Sequence, residues 1–294
     1  MRRILLLGVL LCLLLGMIGC ASPQSCDIAA TTRPVYDMCR YLCDGTPLQV
    51  QRLVTENVSC LHDYTLQVWQ MQAISGADAV VLSGAGLEDF LDAPLEGHPC
   101  VVDASAGLAL TETGHSHEEH SHDDHGHVHS QDPHIWLSPA NAAHMATNIC
   151  TALCEKYPQY QDHFRMNLDD LTQQLAALQR YGEEKLASLT NRELVTFHDG
   201  FAYLAEAFDL TILHAIEEES GSEASAKELI QIANIVRDHG LPAVFTETNG
   251  SVSAAHIIAA ETGAKVYSLD MAMGQRGYLE AMYYNIDTLW EALQ

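Results

Sequence analysis

The stretch at residues 159–188, QYQDHFRMNLDDLTQQLAALQRYGEEKLAS, decides how this chain is organised. Its apolar residues recur at helical spacing, at Phe164, Leu168, Leu171, Leu175, Leu178 and Leu186. Such spacing, with charged residues between, predicts an amphipathic helix. At about 1.5 Å per residue the helix would exceed ~40 Å, which is long enough to connect two lobes. We therefore expect a linking helix at 159–189.

Short apolar runs alternate with amphipathic ones on both sides of this helix. Before it, the pattern predicts strands at 27–32, 48–53, 77–82 and 98–103 and helices at 34–43 and 65–75. After it, strands are expected at 194–197, 210–214, 243–246 and 265–269, and helices at 200–207, 226–239, 252–262 and 277–293. This order predicts parallel sheets covered by helices. The expected fold is α/β, with lobes at 27–158 and 190–294, each a mostly parallel four-stranded sheet with flanking helices.

The first nineteen residues are typical of a secretory signal peptide. Arg2 and Arg3 precede an apolar run at 4–18, which is short for a membrane span. The run ends in Met17-Ile18-Gly19-Cys20, which resembles a bacterial lipobox in which Cys20 carries the lipid. Residues 20–26 would then be a tether, and the protein would be extracytoplasmic and lipid-anchored to a bacterial membrane. The alternative is an ordinary signal peptide with an incidental cysteine.

Charge and cysteine content exclude some partners and sites. The formal net charge of −25 argues against nucleic acid, which requires clustered Lys and Arg. Seven of the nine cysteines follow Cys20, and no Cys-x-x-Cys occurs. We expect these seven to be buried small side chains or disulfide partners rather than metal ligands, and because seven is odd, at least one thiol is free or pairs outside the chain.

Residues 111–132 contain no apolar pattern that could form a core, so a surface loop is expected there. Acidic residues alternate with seven histidines, His115, His117, His120, His122, His125, His127 and His129. This composition could hold divalent cations loosely and supply them to a tighter site. The alternative is a solvated segment with incidental affinity for metals.

Four other residues are expected at the carboxyl ends of strands or at the matching end of a lobe, namely His62, His134, His198 and Asp270. Ligands of open α/β sheets bind at that edge, so the four could converge between the lobes. Three imidazoles and one carboxylate suit tetrahedral Zn²⁺. The absence of a thiolate set disfavours Cu(I), and a single carboxylate disfavours Mn²⁺. Taken singly, each could instead be a surface histidine or a helix cap.

Several motifs resemble the zinc-binding group of the solute-binding proteins of ABC metal importers. They include His62-Asp63-Tyr64, Asp132-Pro133-His134-Ile135-Trp136-Leu137-Ser138-Pro139, Phe197-His198-Asp199-Gly200, Leu269-Asp270 and Tyr284-Asn285-Ile286. The resemblance implies two α/β lobes on a backbone helix and a monomer that captures Zn²⁺ for a membrane permease. It implies His62, His134 and His198 as ligands, with Asp270, or water in its place, as the fourth.

The resemblance also bears on neighbouring residues and on the alternatives. Glu247 and Asp199 are candidates to accept a hydrogen bond from a ligating imidazole. The loop after Asp270 departs from the family, with Met271-Ala272-Met273-Gly274 where Pro-Leu-Gly is usual. A binder of manganese or another divalent metal with the same fold is the main alternative. A secreted zinc hydrolase is disfavoured because no His-Glu-x-x-His or Gly-x-Ser-x-Gly occurs.

Overall fold

The structure is a computed structural model that describes residues 26–56, 61, 64–111, 131–215 and 224–294. The predicted signal peptide and lipid-anchored Cys20, the first predicted ligand His62 and the histidines of the 111–132 segment lie outside those residues. Within them, no helix combines the length and the apolar character needed to cross a bilayer.

The N-terminal sheet contains four parallel strands, β1 (Ile28–Ala30), β2 (Val50–Arg52), β3 (Ala79–Leu82) and β4 (Val101–Asp103). Their order in the sheet is β2-β1-β3-β4. The central strands β1 and β3 are buried, as expected for a sheet with helices on its faces. The helices are α1 (Arg33–Leu42), which has a proline in its first turn, α2 (Val68–Gly76) and α3 (Asp92–Leu95), which follows a 3-10 turn at Asp89–Leu91.

The C-terminal sheet repeats this arrangement with β5 (Glu193–Thr196), β6 (Thr211–Ala215), β7 (Ala243–Glu247) and β8 (Lys265–Leu269). All are parallel, in the order β6-β5-β7-β8. The helices here are α6 (Ala202–Ala207), α7 (Ala226–Asp238), α8 (Ser253–Thr262) and α9 (Tyr278–Ala292). The predicted α/β fold with two parallel four-stranded sheets is confirmed.

Two helices lie between the sheets in the sequence, α4 (Pro139–Lys156) and α5 (Gln161–Leu186). A 3-10 turn at Pro158–Tyr160 separates them, so the long helix begins slightly later than predicted. With 26 residues, α5 is about 39 Å long at ~1.5 Å per residue. It packs against α1, α4 and α9. One continuous cluster of buried side chains therefore includes residues from before and after this helix.

Cysteines of the described segments are free thiols, and most are buried. Cys39 and Cys43 belong to the main core. Cys150 and Cys154 lie one turn apart on α4 with their sulfur atoms 4.0 Å apart. In the described residues these side chains therefore act as small apolar groups rather than disulfide partners.

Candidate metal centre

The chain around His134 is fixed on both sides. Asp132 donates its backbone N–H to the carbonyl of Thr111, and a 3-10 turn at Ile135–Leu137 buries all three of its side chains. Ser138 then caps α4, because its hydroxyl accepts the N–H of Asn141. The imidazole of His134 is itself buried and packs edge-on to the ring of Trp136, with the ring centroids 5.5 Å apart.

Asp132 orients the His134 ring. One oxygen, Oδ1, accepts the backbone N–H of His134 at 2.9 Å and lies 2.8 Å from ring nitrogen Nδ1. The carboxylate is a hydrogen-bond acceptor, so Nδ1 carries the proton and Nε2 keeps its lone pair for a metal. This role of Asp132 was not predicted from the sequence. The Asp-x-His spacing was the available signal, because an aspartate two positions before a residue commonly accepts its backbone N–H.

His198 comes from the segment that follows β5 of the C-terminal sheet. Strand β5 ends at Thr196, whose hydroxyl donates to the carbonyl of His198 at 3.0 Å and fixes the turn after the strand. The His198 ring is buried, and its centroid lies 5.2 Å from that of His134 with the planes at 81°. Two imidazoles on one tetrahedral Zn²⁺, with Zn–N about 2.0–2.1 Å, would place their centroids about 5 Å apart. The centroid spacing of the pair is therefore compatible with a shared zinc ion.

Gly200 makes this approach of the two rings possible. A Cβ atom at that position would lie 2.7 Å from Cδ2 of His198 and 2.8 Å from Nδ1 of His134. Both distances are far below normal contact, so any side chain would displace one of the rings. Glycine at this position is a steric requirement of the paired histidines.

His62 lies outside the described residues, but its flanks are held in place. Leu61 is fully buried in the main core, and the backbone N–H of Tyr64 donates to the carbonyl of Leu61. The Tyr64 ring packs against Phe90 with the centroids 5.4 Å apart. The assignment of His62 as a ligand stays a prediction.

Asp270 directly follows β8, as predicted, and is buried. Its carboxylate is already engaged, since Oδ1 accepts the N–H of Ala272 at 2.9 Å and Oδ2 accepts from Arg276 at 2.7 Å. Within the described residues, no group of three or more His, Cys, Asp or Glu side chains is placed to hold a metal ion. Those residues bring His134 and His198 together, whereas Asp270 is paired with an arginine.

The two predicted partners of the imidazoles lie near the same sheet edge. Glu247 is buried at the end of β7, the strand beside β5, and Asp199 is half-buried directly after His198. Their role as hydrogen-bond acceptors for the ligands stays a prediction.

Another carboxylate, Glu88, lies at the corresponding edge of the N-terminal sheet. It accepts hydrogen bonds from the Thr31 hydroxyl after β1 and from the N–H groups of Ser83 and Gly84 after β3. Burial raises the pKa of Glu88 to about 7, against the effect of these hydrogen bonds. Glu88 therefore joins the ends of two strands.

The segments that carry the candidate site contact each other across the lobes. The indole N–H of Trp136 donates to the carbonyl of Met271 at 2.8 Å, and the hydroxyl of Tyr278 donates to the carbonyl of Trp136 at 2.7 Å. The His134 segment and the loop after Asp270 are thus hydrogen-bonded to each other.

Two parallel α/β lobes, a long helix between them in the sequence and a pair of buried histidines, one before that helix and one after it, define a two-lobed metal-binding solute-binding protein. Residues 28–292 match the family model of ZnuA, the periplasmic component A of zinc-uptake complexes. The chain belongs to this family. It is accordingly an extracytoplasmic zinc-binding protein of an uptake system rather than an enzyme.

Individual relatives agree with this assignment. A Treponema pallidum (strain Nichols) protein named for metal binding is 30% identical over 260 residues, which are 84% of this chain and 81% of that protein. The high-affinity zinc uptake system protein ZnuA of Bacillus subtilis (strain 168) is 27% identical over 279 residues, 90% of this chain and 87% of that one. A crystal structure of ZnuA superposes with a TM-score of 0.80 at 30% identity, covering 92% of this chain and all of that one.

Proposed function

We propose that this protein captures Zn²⁺ between its lobes with the imidazoles of His62, His134 and His198 and passes it to the membrane permease of an ABC importer. The observation that carries the proposal is the pairing of His134 and His198, which approach from different lobes at a spacing suited to one tetrahedral zinc ion. The hydrogen bond from His134 to Asp132 supports it by leaving Nε2 available.

The finer parts of the proposal rest on the sequence. Asp270 is the candidate fourth ligand, and the seven histidines of the 111–132 segment form an accessory store of metal. A lipid on Cys20 would tether the chain to the membrane as a monomer, with residues 27–158 and 190–294 as its lobes and 159–189 as the linking helix. Tethering would keep the protein close to its permease.

The test is the zinc stoichiometry and competitive zinc affinity of protein that begins after Cys20 and lacks residues 112–130, a deletion that keeps Thr111 and its hydrogen bond with Asp132. We expect one tightly bound zinc ion per chain, little competition from Mn²⁺, and loss of tight binding in His198→Ala. His144→Ala is the matched control, because His144 bonds only the carbonyl of Ala106 within the described contacts, away from the paired rings. If tight zinc binding disappears with residues 112–130, the histidine-rich segment is the main binding element and the proposed site is wrong.

A further inference from the structure

The loop between β8 and α9 holds Asp270 in a fixed position. Asn285 of α9 accepts the backbone N–H of Asp270 at 2.7 Å and donates its side-chain amide to the Asp270 carbonyl at 2.8 Å. Asn285 is fully buried, so these bonds are protected from water. The backbone is thus anchored while the carboxylate makes separate contacts, one of them to Arg276.

Arg276 has a second support besides that carboxylate. Its guanidinium carbon lies 4.0 Å from the centroid of the Tyr284 ring, which is within the range of a cation–π interaction. The Tyr284 hydroxyl donates to the carbonyl of Ser268, so the ring is held in place. The Arg276 side chain is also 37% exposed. It can therefore leave Asp270 and remain stabilised by the ring and by water.

The same loop is hydrogen-bonded to the N-terminal lobe. Arg33 donates to the carbonyl of Gln275 and Arg52 to that of Gly274, each at 3.2 Å. At the end of the loop, the N–H of Tyr278 donates to the carboxylate of Asp37 at 2.8 Å. Any rearrangement of Arg276 therefore takes place in a segment that both lobes hold.

We propose that Arg276 is a built-in competitor of zinc for the Asp270 carboxylate. Without metal the ion pair neutralises Asp270. When zinc binds, the carboxylate turns to the metal and the guanidinium moves onto Tyr284 and into solvent. The positive charge lowers zinc affinity and recaptures the carboxylate when the metal leaves. This inference rests on the proposed zinc site, and in it Arg276 tunes the zinc affinity of that site.

Electrostatics sets the sign and the size of the expected effect. The Arg276 guanidinium donates to Oδ2 of Asp270 at 2.7 Å, so this cation and a zinc ion would compete for the same negative charge. The guanidinium would also repel the zinc ion. Because a hydrogen bond between charged groups must break before the carboxylate reaches the metal, removing the guanidinium should tighten zinc binding by roughly tenfold or more.

The experiment is a double-mutant cycle on zinc affinity, with protein that begins after Cys20 and the variants Arg276→Gln, Asp270→Asn and both together. Arg276→Gln should bind zinc roughly tenfold more tightly than wild type, because the hydrogen bond to Asp270 no longer has to be broken. In the Asp270→Asn background the same substitution should have little effect. Arg276→Lys, which keeps the charge, should stay close to wild type. Arg237→Gln is the control, since it removes one exposed arginine of the same lobe that pairs loosely with Glu261 at 3.7 Å.

A direct readout is the side-chain Nε–H resonance of Arg276 in NMR spectra, which should shift on adding zinc as the ion pair opens. An Arg276→Gln affinity equal to that of wild type and of Arg237→Gln would overturn the proposal. So would equal tightening with and without Asp270, because the charge would then act without competing for that carboxylate. Loss of zinc binding in His198→Ala tests the site itself, so the two failures are distinguishable. Far-UV circular dichroism of each metal-free variant establishes that it is folded.

Discussion

Asp132 lies two residues before His134, and one of its oxygens serves both the backbone N–H and the ring of that histidine. The same carboxylate is 2% exposed, and within the described residues its other oxygen, Oδ2, has no hydrogen-bond partner. A buried negative charge beside a neutral imidazole makes the imidazole a better ligand and favours an incoming cation. At the residue scale, Asp132 therefore belongs to the proposed metal site although it would not touch the metal.

Replacing Asp132 with asparagine keeps the shape and removes the charge. We expect Asp132→Asn to weaken zinc binding by about 10–100-fold, as is usual for residues that support a metal ligand, with a near-normal fold. Competitive titration with a zinc chelator measures the effect. Asp103→Asn is a matched control, because Asp103 accepts the backbone N–H of Ser105 in the same two-residue arrangement and orients no imidazole. Equal affinity in the two variants would contradict the role of Asp132.

The sequence predicted where single candidate residues lie along the chain, but it did not predict which side chains they contact. His198 and Asp270 follow β5 and β8 as predicted, because strand ends can be found from apolar runs. The pairing of Asp270 with Arg276 could not be predicted, since it is made by a loop that folds back over six residues without periodicity. The steric role of Gly200 likewise depends on the approach of two distant segments.

At the scale of elements, the long helix α5 depends on one glycine for its packing. Gly182 faces Phe208, a buried residue just after α6, and a Cβ at Gly182 would lie 2.2 Å from the edge of that ring. Helix propensity alone favours alanine over glycine by about 1 kcal/mol. The close contact favours glycine, because the Phe208 ring fills the space that a methyl group would occupy.

We expect Gly182→Ala to lower the free energy of unfolding by about 1–3 kcal/mol, since overpacking a core outweighs the gain in propensity. Urea denaturation followed by circular dichroism measures it. Phe208→Leu should make room for the methyl group. The double variant should therefore lose less free energy of unfolding than the sum of the losses in the two single variants. Gly76→Ala at the end of α2 is the control, because nothing lies within 4 Å of its Cβ position. If Gly182→Ala leaves the free energy of unfolding unchanged, the Phe208 ring moves aside at no cost and the prediction is wrong.

The presence of most strands and helices could be predicted from the sequence, whereas their first and last residues were predicted less accurately. Predicted strands and helices match those of the structure to within a few residues, because the alternation of buried runs and amphipathic runs is strong. The long helix was predicted from residue 159 and begins at Gln161, because Pro158 starts a 3-10 turn instead. Helix α3 and the 3-10 turns went unpredicted, since segments of three or four residues carry too few positions for periodicity.

At the scale of the whole molecule, the buried core is continuous through α5 and includes residues on both sides of it. The contacts of Trp136 and Tyr278 add hydrogen bonds between the segments that carry the site. Two separate domains would unfold independently, whereas a shared core favours a single cooperative transition. The candidate ligands His134 and His198 precede and follow α5 in the sequence, so both are attached to this shared core.

Zinc should therefore stabilise the molecule as a whole. A ligand that binds only the folded state adds about 2.7 kcal/mol at a free concentration 100 times its Kd, which raises the melting temperature by several degrees. Because His134 precedes α5 and His198 follows it, hydrogen exchange should slow in peptides from both sheets when zinc is added, and chelation should reverse the effect. His144→Ala should retain this response and His198→Ala should lose it. Slower exchange in one sheet alone would place the metal on a single lobe and contradict a site shared between them.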